Sequence, residues 1–113
     1  MLIVNEENNV FLTRGDHAIF DVEITDENGD PYTMISGDKI IFTLRKLYDR
    51  GVELIKKESS VPTFEIVNED TKDLDFGVYV YDVCLYNSLS GKYDTFIPER
   101  LFEIGKEAHD FNE

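Results

Sequence analysis

Apolar and polar residues alternate with a period of two along most of this chain, the pattern of strands that bury one face. Ala18, Phe20, Val22 and Ile24 share one face of a segment whose other face carries Asp21, Glu23 and Thr25. Ile40, Phe42 and Leu44 alternate with Lys39, Thr43 and Arg45. Val52 and Leu54 flank Glu53, Phe64 and Ile66 flank Glu65, and Phe102 and Ile104 share a side near the end. No stretch shows the 3.6-residue period of a buried helix. The pattern predicts seven or eight strands, at about 9–13, 17–25, 39–47, 52–58, 63–67, 78–87, 92–97 and 100–105. Short strands at this spacing indicate an all-β, antiparallel sandwich or barrel.

Turn chemistry separates the strands. Asp26-Glu27-Asn28-Gly29-Asp30-Pro31 holds an Asn-Gly pair, which accepts the positive φ of a tight turn, followed by a proline that resists continuing a ladder. Ser36-Gly37-Asp38, Asp49-Arg50-Gly51 and Ser88-Leu89-Ser90-Gly91 mark three further turns. Pro62 fits a strand start, and Pro98 predicts a bulge or step in the last strand.

Asn68 to Gly77 is the one inter-strand stretch suited to a helical turn, and it leads into Asp75-Phe76-Gly77-Val78-Tyr79-Val80-Tyr81. In immunoglobulin-type sandwiches a tyrosine at the start of the sixth strand folds its hydroxyl back onto the preceding corner. Tyr79 is the candidate corner tyrosine, and Tyr81 stands where antibody domains carry a disulfide cysteine. The second strand has no cysteine and the chain has no tryptophan. The expected fold is therefore an immunoglobulin-like sandwich held by core packing alone.

In order, the chain reads Thr13-Arg14-Gly15-Asp16, the Asp26–Tyr32 turn, Gly37-Asp38-Lys39-Ile40-Ile41-Phe42-Thr43-Leu44-Arg45-Lys46, and Asp70 through Val83 around the corner. It resembles the small immunoglobulin-like domains encoded among tail and baseplate genes of phages and prophages of Gram-positive bacteria. It is similar in particular to the N-terminal domain of upper baseplate proteins. The resemblance covers about residues 9–105. It implies a structural, protein-binding virion component that contacts other phage structural proteins, with no catalytic residue to carry over.

The chain has 113 residues and a formal net charge of −13. That length suits one domain, read as 1–113 with an ordered core over about 9–105 and a polar tail over 106–113. The acidity argues against nucleic acid and anionic membranes as partners, since both attract basic surfaces. Met1-Leu2-Ile3-Val4 is followed at once by Asn5-Glu6-Glu7, so no signal peptide is expected. The expected localisation is a virion component made in the bacterial cytoplasm.

No constellation for catalysis, cofactor or metal stands out. His17 and His109 have no neighbouring nucleophile, and Cys84 lacks a Cys-His signature and reads as an inert, partly buried thiol. Asp26 to Asp30 offers oxygen ligands for calcium but lacks the glutamate that closes an EF-hand loop, so a solvated turn is the better reading. Arg14-Gly15-Asp16 reads as a turn between strands. Tyr32, Tyr48, Tyr86 and Tyr93 would serve an alternative function, a carbohydrate-binding or adhesion module, but they are scattered over loops and strands.

The sixth strand is more informative. Tyr79, Tyr81, Val83 and Leu85 fall on the core side. Val78, Val80, Cys84 and Tyr86 fall on the other, broken only by Asp82, and Ile41 adds to them from the paired strand. A water-facing side should be polar. Either another part of the chain covers this face, or it is an interface for a partner or a second copy. The interface reading predicts a weak homo-oligomer, or a monomer that awaits a less acidic partner.

Overall fold

The structure, a computed structural model, describes residues 1–106. Most of the expected tail, with His109, therefore lies outside the described residues. Among the described residues the structure is mostly β, at 58% strand and 4% helix. The strands are β1 (Leu2–Val4), β2 (Val10–Thr13), β3 (Ala18–Asp21), β4 (Asp38–Lys46), β5 (Asp49–Ser59), β6 (Thr63–Ile66), β7 (Gly77–Asn87) and β8 (Tyr93–Gly105). A single helical turn, α1 (Asn68–Thr71), precedes β7.

Six strands form one sheet in the order β1-β2-β8-β7-β4-β5, and β3 pairs with β6 in a second. The expectation of an antiparallel fold is corrected at one place: β2 runs parallel to β8, with Val10 opposite Phe102 and Leu12 opposite Ile104. The remaining pairs are antiparallel. The strands also differ from expectation at both ends. β1 is an additional strand, and the two segments expected on either side of Pro98 are one continuous strand.

Both departures have local causes. Leu2, Ile3 and Val4 become a strand because Asn5–Asn9 closes a hairpin. Asn5 Oδ1 accepts the N–H groups of Glu7 and Asn9, and Asn8 adopts a φ of 64°. Asparagine tolerates that left-handed conformation better than most residues. At Pro98 the register absorbs the missing N–H instead of ending the strand. Tyr81 faces Arg100 and Val83 faces Ile97, so β8 spends an extra residue around Pro98. A second bulge falls at Phe96, between Ile97 and Thr95.

The two sheets enclose an aromatic core. Phe64 stacks on Phe42 at 4.6 Å and on Phe20 at 4.9 Å, and Tyr81 meets Phe102 edge-on at 5.8 Å. These offset and edge arrangements suit the ring quadrupoles. Leu12, Ile40, Leu44, Ile66, Val83 and Ile104 fill in around them, all buried. β7 and its neighbour β4 lie inside the large sheet and carry buried residues on both faces.

The β4–β5 hairpin breaks the simple period. Leu44 faces Ile55, Arg45 faces Glu53 and Lys46 faces Asp49. One bulge therefore falls at Leu54, and Arg50, Gly51 and Val52 arch outward without a β4 partner. Ile55 is consequently the buried residue of β5, while Val52 is exposed, contrary to the alternation of Val52 and Leu54.

Tertiary ties hold the loops. The Tyr79 hydroxyl donates to the Asp75 carbonyl at 2.7 Å. The Gly15 N–H donates to Thr71 Oγ1 at 2.8 Å, and Asn68 Nδ2 donates to the Gly15 carbonyl at 2.9 Å, so α1 grips the β2–β3 turn from both sides. Asp70 accepts the Val67 N–H and pairs with Lys57 at 2.8 Å.

Candidate functional site

The outer face of β4 and β7, expected as an open apolar patch, is largely closed within the chain. Ile41, Val80 and Cys84 do lie on that face, but they are 7%, 3% and 2% exposed. Tyr86 is half-buried and Val78 is 42% exposed. As an accessible surface the patch is therefore corrected. Its physical cover is a layer of long side chains from the same sheet. Lys39 approaches Glu58 at 4.0 Å beside Ile41, and Arg45 reaches Asp82 at 3.4 Å and Glu53 at 3.8 Å beside Val80. Tyr86 and Tyr93 pack at 5.8 Å next to Cys84. Arg50, carried on the β5 arch, forms a two-pronged ion pair with Glu99 of β8 at 2.7 and 2.8 Å. That pair bridges the two intervening strands, β4 and β7.

Burial pushes the Cys84 thiol up, and hydrogen bonding with the Tyr93 hydroxyl only partly opposes it. A protonated, buried thiol is a poor nucleophile. Burial also raises Asp82, with Arg45 pulling the other way.

An open groove of mixed polar and apolar lining lies elsewhere, between the sheets. Among the described residues the small sheet has two strands, fewer than the six of the large sheet it faces. The groove measures about 560 Å³. One wall is the run Ile19 to Glu23, along β3 and just past it. The other is formed by Leu2 and Val4 of β1, with Phe96 and Ile97 of β8 beside them. The floor includes Phe64, Tyr81 and Val83. The Tyr81 hydroxyl donates to the Asn8 carbonyl, which ties the β1–β2 hairpin to this floor. Burial pushes Tyr81 up to about 12. Sequence reasoning missed this groove because it depends on how the two sheets meet, which no alternation reveals.

The remaining candidate positions are structural in their contacts. Asp26 Oδ1 accepts the N–H groups of Asn28 and Asp30, and Gly29 takes a φ of 82°, so this oxygen is spent on the loop's own turn. Among the described residues no group of three or more His, Cys, Asp or Glu side chains is placed to hold a metal ion. Arg14 stacks over Phe76 at 4.0 Å, and Asp16 contacts the N-terminal amine. His17 pairs with Glu65 at 3.1 Å. Of the four tyrosines considered as a sugar platform, Tyr86 and Tyr93 come together, while Tyr48 is on the β4–β5 turn and Tyr32 bonds Asp38.

Asp38 itself is a staple at one end of the sandwich. It accepts the Tyr32 hydroxyl at 2.6 Å, the Ile35 N–H at 2.8 Å and the Asn87 amide at 2.8 Å. Burial alone would raise its carboxyl, but these three bonds reverse the effect and hold it below the ordinary range.

The chain matches no protein-family model, no curated protein and no solved structure.

Proposed function

We propose that the chain is an immunoglobulin-like domain serving as a structural or assembly protein of a phage or prophage tail or baseplate. It acts through protein–protein contacts with other virion proteins and catalyses nothing. The strand order carries this reading. The run β8-β7-β4-β5 follows the G-F-C-C′ order of a variable-type immunoglobulin sheet, and β3-β6 faces it as strands B and E do. The Tyr79–Asp75 bond has the geometry of a tyrosine corner and adds support. The phage context rests on the sequence resemblance. Nucleic acid and anionic membranes are not the proposed partners, because a net charge of −13 is repelled by both.

Two observations test the context. Tail or baseplate genes beside this one in its source genome support it; a sugar-metabolism operon around it would sink it. Mass spectrometry of purified tail particles should then detect the chain at stoichiometric levels.

A further inference from the structure

The groove beside β3 combines a strand edge that is unpaired among the described residues with walls that mix apolar side chains and carboxylates. β3 pairs with β6 on one side, and among the described residues no strand pairs with its other side. Val22 donates to the Pro62 carbonyl at 2.9 Å. Antiparallel ladders alternate, so Phe20 and Ala18, opposite Phe64 and Ile66, belong to the same bonded class. The N–H and C=O groups of Ile19 and Asp21 therefore face away from β6, toward the free side. The groove runs along that side for the five residues from Ile19 to Glu23. At about 3.3 Å per residue this run is some 17 Å long, the length of an ordinary strand.

We propose that this groove receives an extended segment of a partner protein, which adds to β3 as a third strand. Its alternate side chains are apolar and enter the groove, and lysine or arginine stands between them. The inference rests on the reading of the chain as a protein-binding domain, and it names the surface and the chemistry of the partner.

Charge selects the partner. The charged residues lining the groove are Asp21 and Glu23, both acidic and both exposed. A second copy brings another −13 to the same place and is repelled, whereas a basic strand is attracted. The opposite wall supplies the apolar component, since Leu2 and Val4 are substantially exposed there. Main-chain bonds to an edge give affinity, and pockets for alternate side chains give selectivity.

The test uses the full chain and three capped peptides: Lys-Val-Lys-Val-Lys-Val-Lys, its Lys-Gly counterpart of equal charge, and its Glu-Val counterpart. NMR titration with amide exchange reads the result. The Lys-Val peptide should bind about tenfold or more tighter than the Lys-Gly peptide, and should slow exchange of the Ile19 and Asp21 amides. The variant Asp21→Lys with Glu23→Lys changes two exposed residues and should reverse the preference toward Glu-Val. Equal binding of the two lysine peptides, with shifts spread over the acidic surface, overturns the proposal. So does protection at a different strand edge. A wild-type dimer by sedimentation with those two amides already protected would assign the groove to a second copy and likewise overturn it. None of these failures bears on whether the chain is found in tail particles, so the domain's proposed role fails or stands separately.

Discussion

The Tyr79 hydroxyl donates a 2.7 Å hydrogen bond to the main-chain carbonyl of Asp75, four residues upstream. The bond spans the corner where the chain leaves α1 and enters β7, and the tyrosine is nearly buried. Tyr79→Phe keeps the ring packing and orphans the carbonyl. Stability should fall by about 1–2 kcal/mol, which lowers the melting temperature by roughly 5–10 °C. A melting curve unchanged within error would show that water replaces the hydroxyl without cost.

Alkaline stability should depend on Tyr81. Its ordinary value is 10.0, and burial in the groove floor raises it to about 12. The folded state thus keeps its proton where the unfolded state has lost it. The associated stability is complete below pH 10 and drains away as pH rises toward 12. Two units correspond to roughly 2–3 kcal/mol. Burial raises Tyr79 as well and contributes in the same direction. Urea denaturation at several alkaline pH values should show a steep loss for wild type and a shallower one for Tyr81→Phe. Identical slopes would remove Tyr81 as the cause.

Gly15 should tolerate alanine worse than Gly91 does. Both have positive φ, 84° and 74°. A Cβ at Gly15 would come within 2.9 Å of Asn68 Nδ2, the group that donates to the Gly15 carbonyl, while at Gly91 it meets nothing within 4 Å. Gly91→Ala should cost only the left-handed backbone penalty of about 1–2 kcal/mol. Gly15→Ala adds the disturbance of α1, and should cost about 1 kcal/mol more. Equal losses by chemical denaturation would mean that Asn68 swings aside freely.

Much of the fold was legible because the central strands obey simple rules. The alternation of Ile40, Phe42 and Leu44, and of Tyr79, Tyr81 and Val83, correctly placed two core-lining faces. What alternation does not encode is cover. Phase puts Ile41, Val80 and Cys84 on the outer face, but their exposure depends on Arg45, on the Tyr86–Tyr93 pair and on an ion pair reaching from Arg50 to Glu99. Those contacts depend on which strands pair, since Arg45 meets Asp82 and Arg50 meets Glu99 only across the sheet. The arch that delivers Arg50 arises from register shifts opposite Arg45, which also moved burial from Val52 to Ile55. β1 escaped because three apolar residues are too few to show a period, although Asn5, Asn8 and Asn9 carried a readable turn signal. The groove was illegible because it follows from how the two sheets face each other, which no single strand's pattern encodes.

Salt should stabilise the chain. The net charge of −13 leaves many carboxylates without a basic partner, since 24 acidic residues face only 11 basic ones. Self-repulsion opposes the compact state, and screening shortens from about 30 Å at 0.01 M to about 8 Å at 0.15 M salt. Exposed pairs such as Arg50–Glu99 weaken under the same conditions, but exposed pairs contribute little. The melting temperature at neutral pH should therefore rise with sodium chloride over this range. A flat or falling trend would show that local pairing outweighs the excess charge.

Val80 and Val78 offer the sharpest contrast, because they sit on the same face of one strand and differ in cover. Val78 is 42% exposed and Val80 is 3% exposed. Phase alone would make Val80→Asp a surface change that disrupts association and spares the fold. Burial reverses that expectation. An aspartate at position 80 loses its hydration between Arg45 and Leu101, close to the carboxylates of Asp82 and Glu99. Arg45 is already engaged with Asp82 and Glu53, so its charge is shared among competing acids. A buried charge with such partial compensation costs about 3 kcal/mol or more. Val78→Asp keeps its hydration and should change stability by only about 0.5 kcal/mol. Thermal melts of the two variants, read alongside sedimentation, decide between the accounts. A Val80→Asp protein as stable as wild type would mean that the outer face opens to water, and that its cover of ion pairs and tyrosines is not closed in solution.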